Sequence, residues 1–427
     1  MISATIIFLI TFVLLLTTGI PIAITLSGAS LVYLLITDIP VELLITATFN
    51  GMTSVPHLAI PLFMLGGNLM NEIGLTGNLI EFAKRTVGHI HGGVGMATIL
   101  ACAIFAAISG SAVATAVAIG AVMIPAMAKV GYDRDLAAAL TANSACMGPI
   151  IPPSISFILY GVSSGVSITA LFIAGVVPGI MLGVGLAIYM NVVARKRNYH
   201  LEKRATLKEC LTATWQAFPA LFMPVLILGG ILSGKFTPTE AAGVLVFYAV
   251  VVDLVIYRRL KLKNLPRILL RSGLESAVVQ LLIGFSTTFA WVVAVEQMPQ
   301  QILNALFQIT TSPEVILLLV NVCLLLLGTM MDTAPAIAIV TPILARMAIA
   351  LGIDPIHMGV VVVFNLVIGL ITPPVGTVLF TISGSTGISL ERLSKAIIVP
   401  FLISVTVLML ITYIPQLSLF LPNLVLR

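Results

Sequence analysis

Charge, cysteine and aromatic side chains are all scarce in this sequence. Of its 427 residues only 9% are Asp, Glu, Lys or Arg, and 7% are Phe, Trp or Tyr. So few charges cannot coat a soluble domain of this length, which excludes a globular enzyme. The formal charge of +5 sits mostly in short loops, so it reports orientation across a bilayer and not affinity for nucleic acid. The four cysteines, Cys102, Cys146, Cys210 and Cys323, have no Cys-x-x-Cys spacing, and neither a disulfide framework nor a metal site is indicated. No Gly-x-x-x-x-Gly-Lys-Ser/Thr run is present to cradle a nucleotide. Met1-Ile2-Ser3-Ala4-Thr5 lacks a basic region and a cleavage site, so the first apolar run is expected to be a membrane helix and not a removed signal peptide.

What remains is apolar. Hydrophobic residues make up 59% of the chain and the mean hydropathy is +1.17, so the expected fold class is an all-α polytopic membrane protein. Runs at 3–18, 20–37 and about 52–71 predict three spans, followed by a basic amphipathic arm from Glu81 to His91 at the cytoplasmic interface. A Gly/Ala/Ser-rich stretch, about 93–129, is interrupted at Ser109-Gly110-Ser111 and predicts a re-entrant hairpin whose tip is buried at membrane depth. Residues 136–162 then form an interrupted helix, and 169–194 return to Arg195–Arg204, ten residues holding five Lys and Arg. That loop and Tyr257–Lys263 are assigned to the cytoplasm, with runs at about 213–232 and 240–257 between them. Residues 272–295 cross outward, and Glu296–Pro313 carries no Lys or Arg. A second hairpin, about 314–350, has its tip at Gly328–Thr333; a second interrupted helix covers 356–382 and a last helix about 392–413.

The interruptions organise the chain. The first reads Gly148-Pro-Ile-Ile-Pro-Pro-Ser-Ile-Ser156, and the second Gly369-Leu-Ile-Thr-Pro-Pro374. Each proline lacks a backbone N–H and its ring clashes one turn back, so the helix opens and leaves carbonyls bare. Gly148 and Gly369, Pro152 and Pro373, and Ser111 and Asp332 are all 221 positions apart. The chain therefore divides into two repeats, 1–204 and 205–427, and because their hairpins start from opposite sides the repeats have inverted topology. Paired broken helices of this kind mark a transporter's binding site, where unwound carbonyls coordinate Na⁺. Carbonyls of Gly148, Ile151 and Pro152 would form one such set, closed by Ser109. Gly369, Thr372 and Val375 would form the other, closed by Gly328. The competing reading is that the prolines only kink helices to pack a bundle.

Few polar residues lie at this depth. Asp332 is flanked by apolar sequence, where an acid costs at least ~2.5 kcal/mol, so it should face a wet cavity or a cation. It also has the chemistry of a helix N-cap, and the two roles can coexist. Ser111, its repeat mate, can cap the next helix or bond a substrate. Ser154 and Ser156 follow the first break and either reach a substrate or bond back to their own helix. His89 and His91 have no carboxylate or cysteine at metal spacing. Gly161-Val-Ser-Ser-Gly165 matches the Gly-x-Ser-x-Gly of serine hydrolases, yet Ser383-Gly-Ser-Thr-Gly387 repeats it in the second half, which points to a helix-ending turn. An intramembrane serine protease is thus the rival from the enzyme class, and a passive channel the other rival.

With Ser109-Gly-Ser111, Met147-Gly-Pro-Ile-Ile-Pro-Pro-Ser154, Gly328-Thr-Met-Met-Asp-Thr333 and Gly369-Leu-Ile-Thr-Pro-Pro-Val-Gly376 in this order, the whole chain resembles the large membrane subunit of a TRAP (tripartite ATP-independent periplasmic) transporter. It is similar, more distantly, to Na⁺/dicarboxylate symporters that need no binding protein. The resemblance implies an elevator transporter and not an enzyme, placed in the bacterial inner membrane. It implies a small four-helix membrane subunit and a periplasmic substrate-binding protein as partners. Two Na⁺ would fall at Ser109, Gly148, Ile151 and Pro152, and at Gly328, Gly369, Thr372 and Val375, with an organic acid at Ser111, Ser156 and Asp332. No Arg lies at either hairpin tip, so a polyhydroxylated acid such as sialic acid is favoured and a C4-dicarboxylate comes next.

Overall fold

A computed structural model describes residues 4–53, 55–199, 204–373 and 376–426. The described residues form helices and turns, without a strand. In order they are α1 (Ala4–Thr17), α2 (Ile22–Ile36), α3 (Glu42–Thr53), α4 (Ala59–Glu72), α5 (Leu75–Val87), α6 (Gly93–Ser109), α7 (Ala112–Lys129), α8 (Arg134–Ala145), α9 (Ile155–Ser164) and α10 (Ile168–Arg197). The second half holds α11 (Leu207–Leu232), α12 (Pro238–Val252), α13 (Leu265–Val295), α14 (Met298–Ile309), α15 (Pro313–Met330), α16 (Thr333–Ala350), α17 (Pro355–Gly369), α18 (Thr377–Thr386), α19 (Leu390–Tyr413) and α20 (Gln416–Val425). Eight of the described helices are long and apolar enough to cross a membrane, or nine if α4 and α5, bent by 72°, count as one span. Large apolar side chains such as Leu14, Trp215 and Phe247 stand outward on these helices, where lipid is their solvent.

Local chemistry sets the boundaries. α11 and α12 begin with capping boxes, Thr206 with Glu209 and Thr237 with Glu240, each hydroxyl accepting from the N–H that its own N–H's carboxylate partner carries. α10 ends at Asn198 in the left-handed region, and its last turn carries Arg195, Lys196 and Arg197, which favour the negative end of the helix dipole.

The sequence-based expectations fail in four places. The run placed at 52–71 begins ten residues earlier as α3 and is interrupted by a 3₁₀ turn, Val55–Leu58, before α4. The arm starts at Leu75, because Gly74 takes a left-handed conformation (φ +76°) that ends one helix and starts the next. Glu296–Pro313, for which no helix was predicted, contains α14. α20 extends beyond the predicted last helix and is held by His357, whose Nδ1 lies 2.7 Å from Ser418 Oγ.

Two groups of helices result. α1 to α4 pack with α11 to α13, while α6 to α10 pack with α15 to α20. α8 and α17, the halves that precede the two breaks, are buried on nearly every side and form the core of the second group. They lie antiparallel: Arg134 Nη2 at the start of α8 donates to Thr386 O at the end of α18 (3.3 Å), Cys146 Sγ reaches Val367 O (3.6 Å) at the breaks, and Gly359 near the start of α17 meets the Tyr160 ring on α9. The packing is also exchanged between halves, with α16 against α9 and α7 against α18.

α3 crosses α13 backbone to backbone. A Cβ on Gly51 would stand 3.3 Å from Gly284 Cα, and one on Gly284 would stand 3.0 Å from the Thr48 carbonyl oxygen. Small residues let membrane helices approach this closely. Gly284→Val is expected to cost about 1–3 kcal/mol by forcing the pair apart. A fluorescence-detected melting curve of the purified protein checks it, and an unchanged midpoint would contradict the crossing.

Candidate functional site

Each hairpin tip presses its backbone onto one of the breaks. α6 stops at Ser109, Gly110 turns the chain (φ +61°), and Ser111 caps α7 by accepting from Ala114 N at 3.4 Å. A Cβ on Gly110 would lie 3.0 Å from Pro153 O, and one on Gly148 would lie 2.7 Å from Ser111 O. The second tip repeats the arrangement. A Cβ on Gly328 would lie 2.9 Å from Leu366 O, one on Gly369 would lie 2.8 Å from Gly328 O, and Gly376 N donates to Thr329 O at 3.3 Å. Only glycine permits such contact, so Gly148, Gly328 and Gly369 have a steric reason for their identity.

The two candidate cation sets meet this geometry differently. In the first break, the carbonyls of Gly148, Ile151 and Pro152 accept no hydrogen bond among the described residues. The Ile151 side chain is turned onto Gly179 of α10, which leaves its carbonyl as the atom it can offer. Ser109 Oγ lies 2.9 Å from Thr115 Oγ1. Bare oxygens beside a closed tip fit a hard monovalent cation. In the second break the fit is closer to saturation: Gly369 O accepts from Thr372 N at 3.0 Å, and Thr372 Oγ1 donates to Ile368 O at 2.8 Å. Each of these oxygens keeps a lone pair for a cation. Val375 lies outside the described residues.

Ser111, Ser156 and Asp332 line one cavity of about 130 Å³, although they come from three separate stretches of sequence. The N-terminal turns of α7, α9 and α16 all open onto it. Free N–H groups and the positive dipole end make each a place for negative charge. Asp332 caps α16 through Oδ1, which accepts from Thr333 N at 2.7 Å, and among the described residues no hydrogen bond occupies Oδ2. Ser154 is committed to structure, donating to Pro149 O and accepting from Phe157 N at 3.2 Å, whereas Ser156 lines the cavity.

A second cavity of about 290 Å³ adjoins the first, sharing Met64, Ser111, Val113 and Ile155. Its far wall is made by Asn68 and Asn71 of α4 and by Arg271 and Glu275 of α13, which the sequence reading had not assigned to a site. The signal was present as an Arg and a Glu four residues apart on one face of an apolar helix. Arg271 had fallen one residue outside the span drawn from 272.

Antiparallel broken helices, tips closing on them and a polar cavity under three helix N-termini define a membrane transport protein. A profile of the tripartite ATP-independent periplasmic transporter family, DctM component, matches residues 9–417. The C4-dicarboxylate TRAP transporter large permease protein DctM of Pseudomonas aeruginosa is 42% identical over 93% of both chains. The sialic acid TRAP transporter large permease protein SiaM of Vibrio cholerae is 39% identical over 95% of both. The crystal structure of the Alcanivorax borkumensis YdaH transporter has the same fold at 15% identity, with a TM-score of 0.60 over 89% of this chain and 87% of that one. The chain belongs to the large permease subunits of TRAP transporters, multi-pass proteins of the inner membrane. That family is a transporter permease, which retires the protease reading.

Gly148→Ala would drive a methyl group into the Ser111 carbonyl, an overpacking cost of about 1–3 kcal/mol at the tip. The expected outcome is a strong loss of uptake in proteoliposomes by a protein that still elutes as a single species. Full activity would mean that tip and break need not touch.

Proposed function

We propose that this subunit carries out Na⁺-coupled uptake of an organic acid anion by an elevator motion. As a TRAP large permease for organic acids, it works with a small membrane subunit and a periplasmic substrate-binding protein. The observation that carries the proposal is the cavity at Ser111, Ser156 and Asp332, where the N-termini of α7, α9 and α16 meet. An anion there gains from three positive helix ends without a buried lysine.

The two breaks are proposed as the cation sites. Gly148, Ile151 and Pro152 with Ser109 would hold one Na⁺, and Gly369, Thr372 and Val375 with Gly328 the other. When bound, each cation supplies about 2.3 kcal/mol per ~100 mV of membrane potential, so two offset the charge of a monoanion and still concentrate it. Tip glycines keep the hairpins pressed on the breaks, and α7 and α16 carry the substrate residues on their first turns. The sites and cavity therefore share the same four elements, and the hairpins, broken helices, α10 and α19 are proposed to move as a transport body against a scaffold of α1 to α4 and α11 to α13. The antiparallel course of the broken helices supports inverted repeats at 1–204 and 205–427.

On substrate, Ser and Asp contacts suit a polyhydroxylated acid. Sialic acid is the first candidate and a C4-dicarboxylate the second, and relatives named for each are similarly close to this chain.

The test is uptake of labelled N-acetylneuraminate, and of succinate in parallel, by proteoliposomes holding both membrane subunits, with binding protein outside and an inward Na⁺ gradient. Uptake of one acid that requires both Na⁺ and the binding protein is expected. Uptake that proceeds equally without either would sink the coupling scheme. Asp332→Ala should abolish that uptake while leaving membrane insertion and elution profile unchanged; normal transport by the variant removes Asp332 from the site.

A further inference from the structure

α13 carries an ion pair that opens onto the larger cavity. Glu275 is fully engaged: Oε1 accepts from Arg271 Nε at 2.9 Å, and Oε2 accepts from Asn68 Nδ2 at 2.9 Å, an amide that also donates to Ser272 Oγ at 2.9 Å. Arg271 is not. It uses one of its five N–H donors on Glu275, and its two Nη groups have no partner among the described residues. A guanidinium held from behind with its outer edge free has the planar fork that receives a carboxylate in two parallel hydrogen bonds. An arginine that merely anchors a helix end at the membrane surface has no need of a carboxylate positioned by an asparagine from another helix. Across the cavity from the Arg271–Glu275 pair stand Ser109, Ser111 and the first turn of α7, whose N–H groups and positive dipole end face it. Asp332, with its free Oδ2, lies beyond Ser111 in the adjoining cavity.

We propose that Arg271 is an anchor for the substrate's carboxylate, which sits between the guanidinium fork and the N-terminus of α7 while a hydroxyl at the other end of the substrate donates to Asp332. The assignment rests on the reading that Ser111, Ser156 and Asp332 hold the substrate, and it specifies the class: a carboxylic acid with a hydroxyl several bonds from the acid group. Glu275 and Asn68 are positioning residues, which hold the fork toward the cavity. Arg271 belongs to α13, which packs on α2, α3 and α4 and also on α16 of the second hairpin, so the anchor stands where the first hairpin tip faces the scaffold across the cavity.

The experiment measures thermal stabilisation of the purified two-subunit membrane complex in Na⁺ buffer, since ligand that binds the folded state raises its melting temperature. The binding protein is omitted because it selects anions itself. The probes are N-acetylneuraminate and its carboxamide, with L-malate and succinate as smaller acids. The acid is expected to stabilise the wild type and the carboxamide is not. Arg271→Gln should weaken the acid by at least about tenfold and erase the preference, the loss expected for a charge-assisted hydrogen bond. Arg271→Lys should lose less, and Glu275→Gln should keep the preference. Wild-type affinity in Arg271→Gln, with Ser111→Ala and Asp332→Ala no longer binding, overturns the anchor and leaves the tip site standing. If Ser111→Ala and Asp332→Ala also bind normally, the site itself is misplaced. Equal losses in Arg271→Gln, Arg271→Lys and Glu275→Gln, together with lower melting temperatures without ligand, assign the pair to packing and overturn the anchor. Stabilisation by succinate but by neither hydroxy acid overturns the substrate class, and no response to any acid overturns the assignment as a whole.

Discussion

Hydrocarbon offers a bare backbone amide or carbonyl no partner, and each unsatisfied group there costs several kcal/mol. Everything unusual in this protein follows from breaking that rule twice. Prolines at 149, 152 and 153 strip the first break of donors, and a hairpin tip has its own unpaired ends. Neither defect is tolerable alone against lipid. Pressed together through Gly110 and Gly148, or through Gly328 and Gly369, each covers the other and leaves a small polar space between. The candidate site is thus the residue of two folding problems solved jointly.

That solution needs a rigid setting. α8 and α17 are buried on nearly every side and sit at the centre of their group, so the breaks are held by a core and not by the bilayer. A few buried amides fix their rotation: Ser404 Oγ donates to Asn143 Oδ1 at 2.9 Å, and Asn365 Nδ2 donates to Asn321 Oδ1 at 2.9 Å. Such bonds are worth more for orientation than for net stability. Around them the apolar surface is generic, because lipid imposes no shape on the side chains that face it.

The sequence revealed most clearly what backbone chemistry dictates. Proline pairs marked the breaks, Ser109-Gly110-Ser111 and the Gly328–Thr333 stretch marked the tips, and Asp332 stood out because an acid at that depth demands a reason. Ser156 could be named but not separated on physical grounds from Ser154, since both precede or open the same helix turn; only the fold shows that Ser154 is spent on its own cap. Arg271 was legible as a charge but not as a wall of the cavity. Its neighbours across the space, Ser109 and Ser111, are 160 residues or more away in sequence, and Asn68, which holds Glu275, comes from yet another helix. α14 and α20 escaped because a short helix lying along others has no length signal, and the α3 to α4 interruption because Pro56 alone looks like an ordinary kink.

The exchanged packing of the halves has a further consequence. α16, the returning arm of the second hairpin, lies against α9 beyond the first break, and α7, the returning arm of the first, lies against α18 beyond the second. Each hairpin is therefore braced by the broken helix of the other half. Loosening either tip strips support from the opposite break, so accidental opening is resisted by the summed contacts of both and not by the weaker one. Under the coupling proposed above, slippage, the passage of an ion without its cargo, would be a property of the interlocked pair and not of either half by itself.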